Sequence, residues 1–143
     1  MKRQLKILDK IIRAIKGSSA FAIGGHMRPD GDCIGSQLAM AYALKNLGKK
    51  VRVFNQDEMP EKLAFLDPRK IVTGPRKARH YDCVIVTDCA SYERMGAICD
   101  SVSRRDLLIN IDHHGSNSRY GDINWVDPKS ASSGELVFQL FKQ

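Results

Sequence analysis

"LLINIDHH", residues 107–114, is an apolar run that stops abruptly on one aspartate and two histidines. A run this short, rich in isoleucine and leucine, reads as a buried strand. Upstream, DCVIVTD at 82–88 repeats the design and ends on Asp88. Further back, SAFAIGG closes on Gly24 and Gly25 and leads into HMRPDGDCIGS at 26–36, where His26, Asp30 and Asp32 crowd together. KKVRVFN at 49–55 and a brief IVT complete the predicted strands.

Between these runs the pattern changes to helical spacing. Leu8, Ile11, Ile12 and Ile15 recur on one side of MKRQLKILDKIIRAIKG, with Lys6, Lys10 and Arg13 on another. IGSQLAMAYALKNLG predicts a helix with Gly48 as its stop. Short helices are expected around PEKLAFL and SYERMGAIC, a basic turn over residues 74–80, and a last helix in SSGELVFQLFKQ. GSNSRYGDINWVDPKS reads as a long polar connection without a strand. Buried strands alternating with helices define an α/β domain, a mainly parallel β-sheet flanked by helices.

The bulk properties narrow the function classes. With 143 residues, 43% hydrophobic and 27% charged, the chain has the composition of one ordinary globular domain. It holds no apolar run near the ~18 residues of a membrane helix and no signal-peptide pattern, so the expected location is cytoplasmic, with no membrane partner. Cys33, Cys83, Cys89 and Cys99 form no CxxC pair, which favours reduced, mostly buried thiols over zinc ligation. Residues 1–16 carry six basic residues and one acid, or +5 of the net +7. Two readings stay open for that helix: a solvated face, or a weak attraction for polyanions such as nucleic acid.

In parallel sheets ligands bind outside the carboxyl ends of the strands. Three strand ends here carry His26, Asp30 and Asp32; Asp88; and Asp112, His113 and His114. Each has an ordinary explanation alone: an Asp-Gly turn, a helix cap, a structural histidine. His80 is expected to be a surface residue. Together the cluster points to one site. Carboxylates crowded this way raise one another's pKa, and a divalent cation relieves the repulsion. Carboxylate and imidazole donors suit manganese, iron or zinc. Two bridged ions roughly 3.5–4 Å apart would use so many donors and could activate water for phosphoester hydrolysis. No nucleophile-elbow sequence competes with that chemistry.

HMRPDGDCIGS, VTDCASYERMG and NIDHHGSNSRYGDINWVDP together resemble the first three motifs of the DHH phosphoesterase family, from about residue 5 onward. Within it, Asp112 through Asn117, Tyr120-Gly121, Asn124 and Glu135 most resemble the bifunctional oligoribonuclease and 3'-phosphoadenosine-5'-phosphate phosphatase branch. The resemblance implies two Mn2+ ions, one held by His26, Asp30 and Asp88 and the other by Asp32, Asp88 and His113. Asp112 would orient the following imidazole, and His114 would contact the scissile phosphate and act as general acid. Asn117 is a further substrate-contact candidate, and Ser36 and Arg94 match family positions. The implied substrates are short oligonucleotides or phosphorylated nucleotides.

Family members continue with a further metal aspartate and a C-terminal substrate-binding domain. The expectation is therefore a DHH domain over 1–143 with an incomplete second metal site. Val137, Leu140 and Phe141 would lack part of their packing, and apolar surface on that helix could drive association into a homodimer. The alternative function is a metal- or nucleotide-binding module that does not turn over. A Rossmann nucleotide-binding domain is disfavoured because no GxGxxG follows the first strand. An HD-type hydrolase is disfavoured because its histidines would sit on helices.

Overall fold

Six parallel strands form one sheet in a computed structural model that describes residues 2–142. In chain order the elements are α1 (Lys2–Gly17), β1 (Ala20–Gly24), α2 (Gly31–Asn46), β2 (Lys50–Phe54), β3 (Val72–Thr73) and β4 (Tyr81–Thr87). They continue with α3 (Ile98–Ser101), β5 (Arg105–Asp112), β6 (Ile123–Val126) and α4 (Ser133–Phe141). The spatial order is β3-β2-β1-β4-β5-β6, with every pair parallel. The order reverses direction between β1 and β4, which opens a crevice at their carboxyl ends.

The central strands β1, β4 and β5 are largely buried on both faces, as helix-covered parallel strands must be. Along β4, Cys83 and Ile85 face α1, α2 and α4 in a core with Leu8, Ile11, Met40, Leu44, Trp125 and Leu136. Val84 and Val86 face the other way, against Phe54, Met95, Ile98 and Val102. Leu8, Ile11 and Ile15 of α1 enter the first core while Lys6, Lys10 and Arg13 stay exposed, as the spacing predicts. Gly48, at φ +76°, ends α2 in the left-handed conformation expected of a helix stop. Among the described residues, no helix is long and apolar enough to cross a membrane.

Four local expectations change. The polar stretch after His114 contains a strand, β6, because Ile123, Asn124, Trp125 and Val126 pair with Ile109 to Asp112 of β5. The segment SYERMGAIC is not one helix: a 3-10 turn at Tyr92–Met95 and α3 are separated at Gly96, φ +63°. A Cβ at Gly96 would also collide with the Gln56 side chain. PEKLAFL forms a 3-10 turn at Glu61–Leu66. Finally, Val137 and Leu140 are packed in the core, and the exposed apolar residues of α4 are Phe138 and Phe141.

The last helix starts with a reciprocal cap. The Ser132 hydroxyl accepts from the Glu135 N–H at 3.0 Å, and the Glu135 carboxylate accepts from the Ala131 N–H at 2.8 Å. This capping box fixes where α4 begins, and with it the placement of Ser133.

Candidate metal centre

His26 follows β1, Asp30 and Asp32 flank the start of α2, Asp88 follows β4, and Asp112 to His114 end β5. The crevice between β1 and β4 brings them together. Asp88 lies at its centre, 2% exposed and at φ +57°, a backbone conformation few non-glycine residues adopt. Its two carboxylate oxygens look in different directions. Oδ2 is 3.5 Å from His26 Nε2, and Oδ1 is 3.6 Å from His113 Nε2.

Each of those imidazoles reaches one more carboxylate. His26 Nε2 is 3.8 Å from Asp30 Oδ1, and His113 Nε2 is 3.5 Å from Asp32 Oδ2. The His26 ring is oriented from behind, with Nδ1 2.6 Å from the Met27 carbonyl, so Nε2 faces the site. Asp30 has a second task, accepting from the Cys33 N–H at 2.9 Å as the cap of α2. The same Oδ1 that caps α2 is therefore the oxygen that stands nearest His26.

Asp112 is fully buried, and the ring it orients is that of His114. Its Oδ1 lies 2.7 Å from His114 Nδ1, while His113 meets it only through a backbone N–H at 2.8 Å. His114 Nδ1 is also 3.7 Å from Asp88, and the ring is partly exposed. Asn117 turns inward: its amide donates to Asp112 Oδ2 at 2.6 Å and Asn110 Oδ1 at 2.7 Å. Its Oδ1 accepts the Arg119 N–H at 2.7 Å, so both ends are engaged with protein. Ser36 is buried against Thr87, and Arg94 contributes its carbonyl to the Met27 N–H.

Ser133 was not legible as a site residue. Its hydroxyl donates to Asp88 Oδ1 at 3.0 Å and lies 3.5 Å from Asp112 Oδ1. The N–H groups of Ser133 and Gly134 donate to the two oxygens of Asp32, each at 2.9 Å. The start of α4 thus clamps carboxylates from two distant segments, with the helix dipole favouring their charge. The only signal in the sequence is the capping pattern around Ser132 and Glu135, which locates a helix start without naming its target.

The electrostatics are those of an acidic cluster short of positive charge. Burial pushes the Asp88 carboxyl up, the His26 ring draws it back, and the charge of Asp32 pushes it up again. The same contact with Asp88, helped by Cys33, raises His26 to about 11 against the opposing effect of burial. At this edge of the sheet two groups bring their donor atoms within 4.8 Å of one another: His26, Cys33 and Asp88, and Asp88, His113 and His114. Asp30 and Asp32 stand at their rims. Burial raises the Cys33 thiol, which points toward Gln37 Oε1 at 3.9 Å, so Cys33 packs rather than supplying a ready thiolate. A Cβ on Gly25 would strike that sulfur, which explains the second glycine after β1. Oxygen and imidazole donors around a shared buried carboxylate suit a divalent metal ion.

Fold and site together define an α/β domain with a candidate divalent-metal centre at the carboxyl ends of parallel strands. The chain belongs to the DHH family: the model of the DHH family, N-terminal domain, matches residues 20–143. It is 32% identical over 138 residues to the bifunctional oligoribonuclease and PAP phosphatase NrnA of Thermus thermophilus, covering 96% of this chain and 40% of that protein. The Bacillus subtilis protein of the same name is 29% identical, with 92% of this chain and 41% of the relative covered. A probable manganese-dependent inorganic pyrophosphatase of Streptococcus thermophilus is 25% identical, with 87% and 42% covered. The chain thus spans about two fifths of the length of these curated relatives. In fold it matches an exopolyphosphatase-related protein from Bacteroides fragilis, with a TM-score of 0.86 at 24% identity over 96% of this chain and 43% of the other.

Proposed function

We propose that this chain carries the metal-binding part of a manganese-dependent, two-ion phosphoesterase acting on short oligonucleotides or 3'-phosphoadenosine 5'-phosphate-type nucleotides. One observation carries the reading: the buried Asp88 carboxylate turns one oxygen to His26 and the other to His113, the arrangement of a bridging ligand. In this reading His26, Asp30 and Asp88 hold one ion, and Asp32, Asp88 and His113 hold the other. Ions held by these residues would supply Lewis acidity and lower the pKa of bound water.

The remaining residues position and move protons. Asp112 Oδ1 lies 2.7 Å from His114 Nδ1 and orients the ring, leaving Nε2 as the nitrogen that would pass a proton to a leaving oxygen. Asn117 holds Asp112 in place, so its contribution is to positioning. Ser133 and the start of α4 fix Asp88 and Asp32. The substrate class is favoured by the resemblance to relatives named for oligoribonucleotides and PAP over the weaker resemblance to pyrophosphatases.

The test is hydrolysis of a linear dinucleotide with and without manganese, alongside Asp88→Asn, a substitution that tolerates positive φ. Turnover that needs both manganese and Asp88 is expected. Manganese bound without turnover would leave a metal-binding module. Turnover by Asp88→Asn at the parent rate would overturn the assignment.

A further inference from the structure

Beside the metal centre lies a cleft of about 650 Å³, within the roughly 300–1,000 Å³ typical of small-molecule sites. Asp30 belongs to both: it faces His26 and also lines the cleft. Arg28 and Lys62 also line it, with Pro29 and Leu63 as apolar neighbours. Neither cation pairs with a carboxylate among the described residues. Asp57, also on the wall, is engaged with backbone: its Oδ2 accepts the Arg28 N–H at 2.6 Å. Glu58 lies exposed at the rim.

Arg28 is held in an unusual state. Its φ is +51°, and the loop is pinned on either side by the Asp57 contact and by the Met27 N–H, which donates to the Arg94 carbonyl at 2.6 Å. Non-glycine residues kept in this region cluster at ligand clamps. Here the loop that delivers His26 to the metal centre also delivers an unpaired guanidinium to the adjoining cleft. Arginine is the side chain best matched to phosphate oxygens.

We propose that this cleft is a second-phosphate subsite, with Arg28 and Lys62 as its ligands. The proposal rests on the two-ion reading of the neighbouring centre and deepens it. The favoured substrates are then phosphoesters that carry a further phosphate besides the scissile one, such as nucleoside bisphosphates and phosphorylated dinucleotides. Pro29 and Leu63 offer the sugar or base an apolar flank. A phosphomonoester with a single phosphate would engage the metal centre alone.

The test compares calorimetric binding of adenosine 3',5'-bisphosphorothioate and adenosine 5'-phosphorothioate, which resist hydrolysis, to the manganese-loaded chain. Arg28→Asn removes the guanidinium while keeping a residue that accepts positive φ. We expect it to weaken the bisphosphorothioate by about tenfold to a hundredfold, the worth of a charge-assisted contact. Binding of the monophosphorothioate and the manganese stoichiometry should stay unchanged, and Lys62→Ala should act in the same direction with a smaller loss. Equal weakening of both nucleotides, or no weakening of either, would overturn the subsite. Failure of the unsubstituted chain to bind manganese would instead sink the two-ion reading. In that case, loss of Arg28 dependence in metal-free bisphosphorothioate binding would sink the subsite as well.

Discussion

The two ends of the sheet carry the same residue types in different states. At the amino end, His80, Asp82 and Asp106 present donor atoms within 4.8 Å of one another, as the groups at the carboxyl end do. There, however, Asp82 accepts the Ser19 and Ala20 N–H groups at 2.7 and 2.9 Å, which hold its carboxyl below the usual range. His80 and Asp106 form a 2.8 Å pair with both side chains more than half exposed. At the carboxyl end Asp88 is buried, faces imidazoles on both sides, and is pushed up by burial. Proximity of donors does not distinguish a site from a satisfied surface cluster. Burial, together with a local shortage of positive charge, does.

Substitution at the carboxyl end should produce the largest effect. His113→Ala is expected to remove one of two manganese ions in calorimetric titration while leaving the circular dichroism spectrum unchanged. Retained two-ion stoichiometry would break the comparison at its centre.

The pH dependence comes next. Because Asp88 raises His26 to about 11, a proton must leave His26 before its Nε2 can bind a metal. Manganese affinity should therefore fall steadily as pH is lowered from 9 to 6, with proton release measurable by titration in buffers of different ionisation enthalpy. In chain stripped by a chelator the sign for stability is opposite. A folded pKa above the unfolded value near 6.5 makes the His26–Asp88 contact fully stabilising below that pH and lost as pH rises toward about 11.

A smaller effect is expected at the clamp. Ser133→Ala removes one donor to Asp88 and leaves the Asp32 contacts, which run through backbone N–H groups, in place. Manganese affinity should drop about tenfold to a hundredfold, as for other groups that orient metal ligands. An affinity equal to the parent's would show that the hydroxyl is only filling space.

The smallest effect belongs to the amino end. His80→Ala should change stability by no more than about 0.5 kcal/mol, as exposed substitutions usually do, and leave manganese stoichiometry untouched. A lost ion there would erase the distinction between the two ends.

Much of this architecture could be read along the chain because its signals are local. DCVIVTD and LLINID are apolar runs bounded by polar residues, and each becomes a central strand under its own pattern. Gly48 stops α2 through a backbone preference that needs no partner. β6 was hidden because INWV is short and set in polar residues, and it becomes a strand through pairing with β5. Val137 and Leu140 looked underpacked on their own helix, yet β5 and α2 cover them. Asn117 sits in a motif that suggests substrate contact, and its amide is directed inward by Asp112 and Asn110.

By itself the sequence determined the alternation of strands and helices and, through the residue that ends each strand, which histidines and aspartates would share one edge of a parallel sheet. Periodicity and strand direction suffice for that. Only the tertiary structure decided that Asp88 turns an oxygen to each of two imidazoles, that Asp112 holds His114 rather than the ring of His113, and that Ser133 reaches back to Asp88. Those are contacts across the crevice, some between residues 45 positions apart or more. Their geometry depends on strand order and helix placement, which no local pattern encodes.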